Sequence, residues 1–139
     1  MAREKGNQHR ELVTRIFNQA WNQADFSGLR ELIAEDAAFH IRGQTFPTSA
    51  EDLQRIVIGW HETFADFHFE IQDMVVERDR VAVRLTLSGT HQGPWQGIPA
   101  AGTQVSVTAM MFFHLADGKV VEIWENYDEY GLRQQLQGE

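Results

Sequence analysis

The chain has 139 residues, 42% of them hydrophobic and 11% aromatic, a formal net charge of −8 and no cysteine. That size fits one domain over residues 1–139 with a substantial core, and the missing cysteines exclude disulfides, thiolate metal sites and thiol nucleophiles. The basic residues are scattered, so no nucleic acid and no anionic membrane surface is expected as a partner; with no apolar run near the roughly 20 residues of a membrane span and no leader core in "MAREKGNQHREL", the expected location is cytoplasmic.

The first segment predicts a helix, because Leu12, Val13, Ile16, Phe17, Ala20 and Trp21 share one apolar face. "NQADFSG" breaks it. A short second helix carries Leu29, Leu32 and Ile33, with Ser27 as its expected cap. "DAAFHIRG" reads as a strand. Ser49 then caps a third helix with Leu53, Ile56, Val57, Trp60 and Phe64 inward. From there the apolar period shortens from 3.6 to 2. "HFEIQDMVVERD" is a strand ending in a turn at Arg78–Asp79. "RVAVRLTLSGTH" is the next, with Val81, Val83, Leu85 and Leu87 on one face. "QGPWQGIPAAG" is a loop, "TQVSVTAMMFFHL" a long strand, "ADGK" a hairpin turn, "VVEIWENYD" the last strand and "EYGLRQQL" a closing helix weakened by Gly131.

Three helices followed by consecutive strands with short connections make an α+β fold. A curved antiparallel sheet with helices on its concave side encloses a pocket, the natural place for a ligand. Pairing about Asp117–Gly118 puts Leu115 near Val120, His114 near Val121 and Asp128 near Val107. A one-residue slip reverses the faces. Both of the last two long strands are apolar on both sides. The side with Met111, Phe113 and Ile123 is too apolar for water, which predicts a homodimer packed sheet to sheet.

The order Gly89, Thr90, His91, Gly93, Gly97, Pro99, then Asp117, Gly118, Lys119, Val120, then Trp124, Asp128, Gly131, Leu132, Gln135, Leu136 resembles the SnoaL-like polyketide cyclase branch of the nuclear transport factor 2-like superfamily. The likeness runs through nearly the whole chain. It implies a cone-shaped α+β barrel with a deep apolar pocket, often dimeric. It implies further that Asp128 is a general base and that His114, fourteen residues earlier, faces the same cavity. The chain departs at Phe112, where the family's cyclases carry glutamine.

The implied chemistry is proton removal beside a carbonyl, as in an intramolecular aldol closure, on a small apolar polyketide-like substrate. A carboxylate becomes a stronger base when an apolar pocket desolvates it. Trp124, Phe112 and Met110 are the expected dry neighbours, and His114 would bond the developing enolate oxygen. His91, His40, Trp60 and Phe64 complete the candidate substrate-binding set, Trp60 and Phe64 serving first as core. No cofactor is expected, and no metal, since no histidine pair has ligand spacing. Asp128 equally reads as the N-cap of the closing helix, and the two roles are compatible. Alternatives on the same scaffold are an epoxide hydrolase, a ketosteroid-isomerase-like enzyme, or a non-catalytic ligand-binding or dimerisation module.

Overall fold

The computed structural model describes residues 2–138. The first apolar stripe becomes α1 (Ala2–Arg15), which widens into a π-helical stretch at Ile16–Asn22 and buries Ile16, Phe17, Ala20 and Trp21. Next, α2 (Leu29–Leu32) is a single turn. Ser27 does not cap it: Gly28 takes that place at φ 79°, and Ser27 Oγ instead donates to Asp25 Oδ1 at 2.7 Å. Ile33, expected on this helix, already begins β1 (Ile33–Ile41). After the short β2 (Gln44–Pro47), α3 (Ala50–Thr63) opens with the anticipated Ser49 cap, closed reciprocally by Asp52. Phe64 lies inward as expected, but as the first residue of β3 (Phe64–Glu77) rather than on the helix.

β4 (Arg80–His91), β5 (Gln104–Ala116) and β6 (Lys119–Tyr127) follow, and α4 (Glu129–Gln137) ends the described chain. One curved, unclosed sheet results, in the order β2-β1-β6-β5-β4-β3. Its long hairpins are antiparallel, as the short connections require. The pairing of β1 with β6 is parallel, joining segments far apart in sequence. The turn between β5 and β6 has φ 53° at Asp117 and 75° at Gly118, the doubly positive geometry that Asp-Gly favours.

Beside that turn, Leu115 pairs with Val120 as expected, but His114 pairs with Glu122, not Val121. Val121 is thus an extra residue, and it reverses the phase of β6. Before it Val120 points inward; after it Ile123 and Glu125 do. The inner, helix-covered face holds Val105, Val107, Ala109, Met111, Phe113 and Leu115 of β5, with Val81, Val83, Leu85 and Leu87 of β4. The dimer expectation named the wrong face: Met111, Phe113 and Ile123 lie in the core. There Phe17 meets Phe69 and Phe113 edge-on at 5.6 and 5.7 Å, and Trp21 meets Phe69 at 5.0 Å. Such pairs add about 0.5–1.5 kcal/mol each to the burial of their area.

Candidate active site

On the inner face one acid stands among apolar side chains. Glu125 of β6 sits between Met111 of β5 and Ile41 of β1 in the pairing, and is only 4% exposed. No hydrogen bond reaches its carboxyl among the described residues. Burial pushes it up to about 8 from the ordinary 4.5, against the weaker pull of the nearby Arg42 charge. Two residues on, burial and then the Glu129 charge hold the Tyr127 phenol above its usual value.

A polar cluster ties together three connecting segments near Glu125. Glu129 Oε1 accepts from Gln96 Nε2 at 2.7 Å, Tyr127 Oη at 3.3 Å and Arg42 Nη1 at 3.4 Å. Arg133 donates to Gln96 and lies over the Trp95 ring, 5.2 Å from its centroid. The turn after β1, the loop after β4 and the start of α4 are thereby joined. Beside them Trp60 meets Tyr127 edge-on at 5.5 Å and stacks on Phe64 at 5.8 Å. The Phe64 ring in turn lies 5.5 Å from the His91 ring. Of the candidate residues, His91, Trp60 and Phe64 are thus joined along this face. His91 is buried, in phase with Val81, Val83, Leu85 and Leu87.

The other candidates lie on the opposite face. Phe112 and Trp124 pair across β5 and β6 and meet edge-on at 5.8 Å; with Met110 they line an outer hollow of about 320 Å³. His40 stacks on Trp124 at 4.8 Å, and its Nε2 donates to Glu122 Oε2 at 3.0 Å. The His114 ring nitrogens lie 3.3 Å from Glu122 Oε1 and 3.1 Å from Asp79 Oδ2. Hydrogen bonds from His40 and then His114 hold Glu122 below its usual range. Asp128 caps α4, accepting from Gly131 N at 2.8 Å. A Cβ on Gly131 would come within 2.2 Å of Asp128 Oδ2, so this glycine, expected to weaken the helix, makes room for its cap.

The expectation that Asp128 and His114 share one cavity does not match this placement. His114 pairs with Glu122, six residues before Asp128, which at 3.3 Å per residue separates the two by about 20 Å along the strand. Glu125 was missed. The signal was present: a lone acid in phase with Ile123, once the bulge at Val121 is counted.

A curved, unclosed six-stranded sheet covered by helices on one face is the architecture of nuclear transport factor 2-like proteins. The SnoaL-like polyketide cyclase model matches residues 11–136, and the chain belongs to that family. Among solved structures it resembles AclR, a proposed hydroxylase from Streptomyces galilaeus, at 28% identity over 96% of this chain and 83% of that one, TM-score 0.84. It also resembles a proposed SnoaL-like polyketide cyclase from Jannaschia sp. CCS1 (26%, 97% and 95%, TM-score 0.85) and IdmH, a proposed polyketide cyclase from Streptomyces antibioticus (29%, 94% and 99%, TM-score 0.82). No curated protein matches the chain.

Proposed function

We propose that the chain is a proton-transfer enzyme of this family, acting on a small apolar carbonyl compound, with Glu125 as the proton carrier. The observation that supports this is a carboxyl with no hydrogen-bonded partner, on a residue only 4% exposed at the helix-covered face. A water-exposed carboxylate is a poor base for a carbon-bound proton, whereas a desolvated one is matched to work near neutrality. In an aldol closure, ionised Glu125 takes the proton beside one carbonyl. The enolate carbon bonds to a second carbonyl carbon, and the resulting alkoxide takes the proton back. No proton is gained or lost overall.

Glu125→Gln keeps the volume and removes the charge. Once a substrate is found, it should lower kcat by roughly 10²–10⁴-fold, the usual contribution of a positioned acid or base. Wild-type kcat should rise as pH increases through about 8, following the carboxyl. Unchanged turnover in Glu125→Gln would remove the assignment. A second reading rests on the family membership and keeps Asp128 as the base. In that case Asp128→Asn, which retains a cap, abolishes turnover while Glu125→Gln does not.

We propose also that the outer face of the sheet joins two copies. Val75, Met110 and Phe112 are 64%, 61% and 41% exposed on one side of the sheet. Asp73 and Arg84, paired at 2.7 Å, rim the same hollow, so a second copy would bring an electrically balanced edge.

A further inference from the structure

His91 is 1% exposed, and neither ring nitrogen has a hydrogen-bond partner. The third such atom among the described residues, Arg80 Nη1, belongs to a side chain that is 42% exposed. His91 has no such outlet. Its backbone is locked to the far end of the following loop: N donates to Thr103 O at 2.8 Å, and O accepts from Gly102 N at 3.0 Å. The next two residues are clamped to the end of α3, Gln92 N and Gly93 N donating to Thr63 O at 2.8 and 3.0 Å. Gly93 has no room for a Cβ, which would lie 2.8 Å from Glu62 O. The imidazole is therefore fixed against Phe64, whose ring leads through Trp60 to Tyr127 and the end of β6.

In every protonation state an imidazole presents at least one N–H donor. A buried donor without an acceptor costs stability, and a native fold keeps such a group where something else satisfies it. We infer that His91 is the hydrogen-bonding group for a carbonyl or enol oxygen of the ligand, making the inner face selective for apolar compounds with an oxygen placed to reach it. This rests on the inner face being the site, but it does not require Glu125 to be the proton carrier.

The probe is 1-phenylbutane-1,3-dione, an apolar diketone, added to the full chain and followed by thermal melting and by NMR of ¹⁵N-labelled histidine. The probe should raise the wild-type Tm and shift the His91 ring nitrogens. In His91→Phe the probe-free Tm should be unchanged or higher, because an unpartnered polar group has been replaced by an apolar one. Probe affinity should fall about tenfold, the loss of one good hydrogen bond. His91→Gln, which retains a donor and an acceptor, should recover part of it. Equal probe affinity in wild type and His91→Phe, or no stabilisation of wild type, overturns the inference. So does a probe-free Tm several degrees lower in His91→Phe, which means the ring already has a bonded partner. Wild-type probe affinity in Glu125→Gln together with unchanged turnover would refute the proton carrier and leave His91 standing.

Discussion

Glu122 and Glu125 are three residues apart on one strand and face opposite worlds. On the outer face, Glu122 receives His40 and His114 and is held below its usual range. On the inner face, Glu125 has no hydrogen bond and is pushed up to about 8. The outer histidines are partnered; the inner one, His91, is not. The same strands therefore carry a satisfied face and an unsatisfied one. Satisfied polar groups stabilise a surface, while unsatisfied buried ones cost stability and are kept where chemistry uses them.

The contrast can be broken at the inner face first. Glu125 has its folded value raised above the unfolded one, so the fold binds the extra proton between about pH 4.5 and 8. Stability should be fullest below that window and fall as pH rises through it. The whole loss is several kcal/mol, at about 1.36 kcal/mol for each pH unit that separates the folded value from the unfolded one. Glu125→Gln should flatten this slope in denaturant melts taken from pH 5 to 9. An unchanged slope would mean that the carboxyl is hydrated. Glu122 has the opposite sign: its contribution is present above the ordinary 4.5 and fades as pH falls below it.

The outer face offers the next test. Met110→Lys should convert a dimer to a monomer by light scattering while the Tm of the monomer changes little, because Met110 is exposed in the single chain. A wild-type monomer at high concentration would refute the sheet-to-sheet assembly. The smallest effect is expected at Asp128. Asp128→Ala should cost about 1 kcal/mol and Asp128→Asn only a few tenths, since both acid and amide cap helices. Equal losses in the two variants would show that the charge of Asp128 matters to folding beyond its cap.

Much of the fold was legible in the chain. The change of apolar period from 3.6 to 2 marks where helices give way to strands. Ser49 with Asp52 names the start of α3, and Asp117–Gly118 names the hairpin. Ordered motifs from Gly89 to Leu136 pointed to the family that residues 11–136 match. The site was less legible. Trp60, Phe64 and His91 lie on the inner face, but Met110, Phe112, His114, Trp124 and His40 turned out to line the outer one.

Local sequence determined the order of the elements, the Ser49 and Asp128 caps and the Leu115–Val120 pairing at the last hairpin, because these depend on neighbours a few residues away. Alternation along a strand supplies two faces without saying which is inside. That was decided only when the π-helical stretch and α3 settled on one side and the bulge at Val121 reversed the phase of β6. The parallel pairing of β1 with β6 brought His40 to Glu122 and Trp124, 82 residues or more along the chain. The environment of Glu125 is set by Met111, Ile41 and the covering helices, none of which adjoins it in sequence, so its burial and its chemistry belong to the tertiary structure.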